Sequence, residues 1–75
     1  MPHVIIKLYP GMPEEKKRSL TEDIVAAVMK ASGHGPDAVS VAFQEVAASD
    51  WPAKVYQADI RGSEATLYKA PGYTM

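Results

Sequence analysis

Two β-rich segments, HVIIKLY at 3–9 and AVSVAFQEV at 38–46, flank a stretch from Glu14 to Ser32 whose apolar residues recur every three or four positions. In the first segment Val4, Ile6 and Leu8 fall on one face, with His3, Ile5, Lys7 and Tyr9 on the other. In the second, Val39, Val41 and Phe43 alternate with Ser40, Ala42 and Gln44. A period of two is the mark of a strand. Between them Leu20, Ile24, Ala27, Val28 and Ala31 make the single stripe of a half-buried helix, with Lys16, Lys17, Arg18, Glu22 and Lys30 off it. Pro13 suits the first helical turn, where its missing N–H is not needed. Gly33 is free to take the left-handed cap, and Pro36 blocks any continuation. Strand, helix and strand in that order need a crossover connection, so the two strands run parallel and the crossover is right-handed. The expected class is α+β: a β-α-β unit with two parallel strands and one crossover helix in each subunit.

The remaining third is less regular. SDWPAKVY (49–56) puts Trp51 before a proline, in a turn or a short helical piece. QADI (57–60) reads as a brief strand, and RGSEATLYK (61–69) as a turn followed by helical turns with Ser63 as N-cap. APGYTM (70–75) is expected to be extended.

The 75 residues suffice for one small domain spanning 1–75. A chain this short buries only about 60% of the surface its unfolded form exposes. Small domains compensate with disulfides or a structural metal, but there is no cysteine, and His3 and His34 lie far apart. A two-stranded sheet covered by a helix on one side leaves its other face and its edges open. A homo-oligomer in which the sheets complete one another is the remaining route.

Eight basic against nine acidic residues give a net charge of −1, which offers no footprint for nucleic acid or an anionic membrane. EEKKR (14–18) is mixed in sign and reads as a solvated face, with Glu14 and Glu15 at the positive end of the helix and Glu14 pairing with Arg18. His34, beside the helix C-terminus, reads as a solvated side chain. No apolar run approaches the roughly 20 residues needed to span a bilayer, and the layout of a signal peptide is missing. No metal-ligand cluster and no cofactor are expected. The expected compartment is the cytoplasm.

Pro2 is the candidate for chemistry, with Met1 expected to be removed in the active form. Behind a retained Met1 it is an ordinary amide; with Met1 removed it is a secondary amine. An α-amino group titrates near 8, roughly, and proline's is somewhat more basic. Apolar surroundings disfavour its charged form and bring it toward neutrality. A neutral amine with a direction fixed by the pyrrolidine ring is a general base, and such a base contributes about 10²–10⁴ in rate. The plain alternative is a proline merely tolerated at the first residue of a strand.

MPHVIIKLYPG, the helix opening PEEKK, VSVAFQEV and DW together resemble the 4-oxalocrotonate tautomerase family of small β-α-β enzymes along essentially the whole chain. The length, MPH and the ending LYKAPGYTM resemble its phenylpyruvate tautomerase-like branch. The resemblance implies that Pro2 is the general base of a cofactor-independent keto–enol tautomerase. It also implies subunits paired through their sheets, as hexamers in the founding group and as dimers, favoured here, in the phenylpyruvate-type branch. The founding enzymes carry two arginines that hold a dicarboxylate, at positions matching Met12 and Ser40. Without those guanidinium forks bidentate carboxylate binding is lost there. The implied substrate is a 2-hydroxy-alkenoate or 2-keto monoacid with an apolar tail, of the phenylenolpyruvate kind.

Trp51 matches the family's pocket aromatic and is expected as a pocket wall, against the alternative of a core or interface tryptophan. His3 either orients substrate beside the amine or is simply exposed. Met12 and Ser40 line the site by alignment. Lys7, Lys54, Arg61 and Lys69 are all candidates for a carboxylate, and Tyr68 and Tyr73 read as packing or dimer contacts. Two other functions stand beside the tautomerase: a non-catalytic β-α-β oligomerisation module, and a promiscuous relative that hydrates or decarboxylates a small acid.

Overall fold

β1 covers His3–Leu8 and β2 covers Ser40–Glu45 in a computed structural model that describes residues 1–75. The strands pair in parallel, His3 opposite Ser40 and Ile6 opposite Phe43 through to Leu8 opposite Glu45. Between them α1 runs from Glu14 to Ser32, the span that the apolar period predicts. The residues form two compact units, Met1–Glu45 and Val46–Met75.

In the first unit, Pro13 sits at the N-cap (φ −61°, ψ 149°), one residue ahead of the helix, and its carbonyl accepts from the Lys16 and Lys17 N–H groups, both at 3.0 Å. At the other end Gly33 takes φ 76°, and its N–H closes on the Met29 carbonyl at 2.9 Å. A Cβ at Gly33 would meet no atom within 4 Å, so the cost of one is backbone strain alone. Gly33→Ala is expected to lower stability by about 1–2 kcal/mol, read as a fall in the urea midpoint at constant m-value.

Lys17 departs from the expected solvated face. Its side chain is only 16% exposed, its Nζ lies 5.9 Å from the centre of the Phe43 ring, and it reaches Glu45 at 3.1 Å and Glu14 at 3.6 Å. Glu14 therefore pairs with Lys17, where Arg18 was expected. Position 17 is turned toward β2, and Phe43 and Glu45 draw its ammonium there. The hydrogen bond to Glu45 raises the Lys17 pKa above the ordinary lysine value, with smaller support from both carboxylate charges. That contribution to stability is present below the ordinary lysine range and is lost as pH rises through the raised value.

The contact of Lys17 with Phe43 and Glu45 marks the α1 side of the sheet as the one carrying Val4, Ile6, Leu8, Val41 and Phe43. His3, Ile5, Lys7, Ser40, Ala42 and Gln44 take the opposite face, where Ile5 is 49% exposed. No side chain of this unit is fully buried.

The second unit corrects two expectations. QADI is helical: Pro52–Ile60 forms one helix of wide turns, closed at its end by the Arg61 N–H on the Tyr56 carbonyl. Trp51 enters it with helical φ/ψ (−57°, −46°) and Pro52 stands at the first position, where it needs no donor. Val55 and Tyr56 are buried, and Ile60 follows Val55 by five residues, the repeat of such a turn. The short alternation in QADI is thus overridden by packing. Ser63 is not a cap. It interrupts the tight turns of Arg61–Thr66 with φ −134°, ψ 30°, and its carbonyl accepts from Thr66 Oγ1 at 3.2 Å. Residues 70–75 carry no regular element.

Candidate active site

Pro2 immediately precedes β1 and is partly buried. It is fixed there by the first residue of β2: the Ser40 N–H donates to the Pro2 carbonyl at 3.2 Å. The bond exists because the parallel register starts at His3 opposite Ser40, so the two strand heads meet at the proline.

His3 and Ser40 project from the face turned away from α1, and His3 Nδ1 lies 2.6 Å from Ser40 Oγ. Both residues are exposed. The pair is the feature the sequence does not reveal. Each residue leads its strand, yet only the register places one beside the other.

Met12 is placed differently. It follows Gly11 (φ 123°), beyond the C-terminal end of β1. The six-residue strand that lies between it and Pro2 in the chain is about 20 Å long. One chain therefore brings together Pro2, His3 and Ser40, and sets Met12 at the far end of the strand.

Trp51 lies in the second unit, where its indole Nε1 donates to the Tyr73 hydroxyl at 3.0 Å. The Tyr73 ring in turn meets Tyr56, centroid to centroid at 5.8 Å and tilted by 38°. Tyr73 is thus a packing residue, and Tyr68 is fully exposed. Of the basic residues weighed for a carboxylate, Lys54 pairs with Asp50 at 3.4 Å and Arg61 with Glu64 at 3.7 Å.

The family model described as "Tautomerase enzyme" matches residues 2–56. The chain belongs to the tautomerase family. It is 39% identical over 75 residues to Tautomerase PptA of Pectobacterium carotovorum subsp. carotovorum (strain PC1), covering 99% of each chain. It is 38% identical over 73 residues to a probable tautomerase of Xylella fastidiosa (strain 9a5c), covering 97% of this chain and 89% of that one. Among solved structures it is similar to a 4-oxalocrotonate tautomerase isozyme from Methylibium petroleiphilum, with TM-score 0.63 and 34% identity over 67% of this chain and 81% of that one. YwhB, a homologue of 4-oxalocrotonate tautomerase, superposes with TM-score 0.59 at 30% identity, over 61% and 75% of the respective chains. The fold is that of the 4-oxalocrotonate tautomerases, and the protein is an isomerase with a tautomerase-type activity.

Proposed function

We propose that this tautomerase interconverts the enol and keto forms of a 2-keto monoacid with an apolar tail, a phenylenolpyruvate-like compound, and that the Pro2 amine is the general base once Met1 is removed. The observation that carries the reading is the anchoring of Pro2 at the head of β1 by the Ser40 N–H, in a chain of the tautomerase family. The neutral amine accepts the enol O–H proton, the oxygen's electrons form the carbonyl, and the ammonium so formed gives the proton to C3. One proton moves, nothing is oxidised, and no cofactor is needed.

Charge supports the substrate class. Neither Met12 nor Ser40 offers a cation, and Lys54 and Arg61 hold carboxylates of their own chain. A permanent dianion has no pair of guanidinium forks to meet it. Met12 reaches Pro2 from a second copy whose β1 runs antiparallel to the first, the arrangement of a homodimer. Trp51 is the aromatic contact for the apolar tail. Trp51→Ala is expected to raise KM about 10-fold with a smaller change in kcat, while Trp51→Phe keeps KM close to that of the parent.

The test is the absorbance decay of phenylenolpyruvate with protein shown by mass to lack Met1. Rapid ketonisation above the buffer rate supports the reading. A rate equal to that of buffer rejects this substrate class and brings forward the assembly-module alternative, or a hydratase or decarboxylase of the same fold.

A further inference from the structure

The two strand heads carry a hydrogen-bonded pair that the proton shuttle at Pro2 leaves unused. His3 Nδ1 stands 2.6 Å from Ser40 Oγ, and the Ser40 backbone is tied to Pro2 through the 3.2 Å bond to its carbonyl. Both side chains are exposed, so burial does not force them together. Water is available to each, and ordering two rotors against one another costs side-chain entropy. A hydroxyl held by a ring nitrogen can present its hydrogen in one direction.

We propose that Ser40 donates its hydroxyl hydrogen to the substrate oxygen on the carbon next to the one Pro2 protonates, and that His3 holds Ser40 in that orientation as the Nδ1–H tautomer. The inference rests on Pro2 as the base. In this arrangement the imidazole N–H donates to Oγ, occupies one of its lone pairs, and leaves the hydroxyl hydrogen pointing away from the ring. When Pro2 takes the enol proton, negative charge develops on the C2 oxygen. A hydroxyl polarised by an N–H donor answers that charge where it forms. Only the proton that Pro2 moves changes owner. Ser40 touches the substrate and is a catalytic residue; His3 acts through it and is a positioning residue. A neutral donor of this kind favours charge that appears during the reaction over charge the substrate always carries.

The test uses Met1-free protein in the enol assay. Ser40→Ala is expected to lower kcat roughly 100-fold with KM changed by less than about twofold. His3→Ala is expected to lower kcat in the same way, and the double variant to fall no further than Ser40→Ala. His3→Asn, whose amide N–H stands where Nδ1–H stood, retains most of the rate, and His3→Gln does not. Long-range ¹H–¹⁵N spectra in mildly alkaline buffer give a readout independent of turnover, and are expected to show His3 protonated on Nδ1. An Nε2–H tautomer overturns the proposal, because Ser40 then donates to His3 and its proton is turned from the substrate. A Ser40→Ala variant that raises KM at constant kcat, or changes neither, also overturns it. Pro2→Ala in the same assay separates the two readings. Activity lost there but intact in Ser40→Ala removes this inference alone, whereas activity intact in Pro2→Ala removes the reading beneath it.

Discussion

Pro2→Ala should lower the ketonisation rate by about 10²–10⁴-fold, the range that a positioned general base contributes. Alanine leaves a primary amine at the new terminus, so some base remains; what is lost is the ring that fixes the direction of the lone pair. A second form of the protein sharpens the result. Chain that retains Met1 has an amide at Pro2, with no basic lone pair at all, and should be at least as slow as the variant. Acidification should depress the rate of the Met1-free protein, because an ammonium cannot accept a proton. Equal rates for all three forms in stopped-flow absorbance would falsify the assignment of the base. Circular dichroism is expected to be unchanged throughout, since the Pro2 carbonyl still accepts the Ser40 N–H in every form.

The first 45 residues were readable because each local signal points the same way. The stripe from Leu20 to Ala31, Pro13 at one end and Gly33 at the other bound α1 at Glu14 and Ser32, and a crossover of that length leaves the strands no choice but to run parallel. Register is another matter. Nothing local says that His3 meets Ser40, because register is a property of the pair of strands and is set by packing against α1. The same limit applies to Lys17: its neighbours in sequence mark it as solvated, while Phe43 and Glu45, far along the chain, decide its contacts. In the last third the local signals conflict. QADI alternates over four residues, too few to fix a period, and Val55 and Tyr56 upstream impose a helix of wide turns. Trp51 reads in the sequence as an aromatic of consequence, but its bond to Tyr73 spans 22 residues and has no trace in sequence spacing.

Ile5→Lys should dissociate the assembly. In one chain the strand-helix-strand unit fully buries none of its side chains, and Ile5 remains 49% exposed on the face opposite α1. A two-stranded sheet in this state is marginal by itself, and the proposed second copy laid against it supplies the missing burial. Sedimentation equilibrium of the parent is expected to give the mass of two chains. Burying an isoleucine is worth up to about 3 kcal/mol, and placing an ammonium there adds a desolvation cost. A two-fold interface counts each change twice. The total, about 6 kcal/mol, is roughly a 10⁴-fold rise in Kd, enough to give monomer at micromolar concentration with much of its helical signal lost. Lys30→Glu, an exposed change in the last turn of α1, is the control and should leave the mass unaltered. If Ile5→Lys also leaves mass and stability unaltered, no second copy covers that face, and Met12 of a partner cannot be the residue that completes the site. His3 and Ser40 sit at the end of the same face, so loss of the assembly should remove turnover together with the fold.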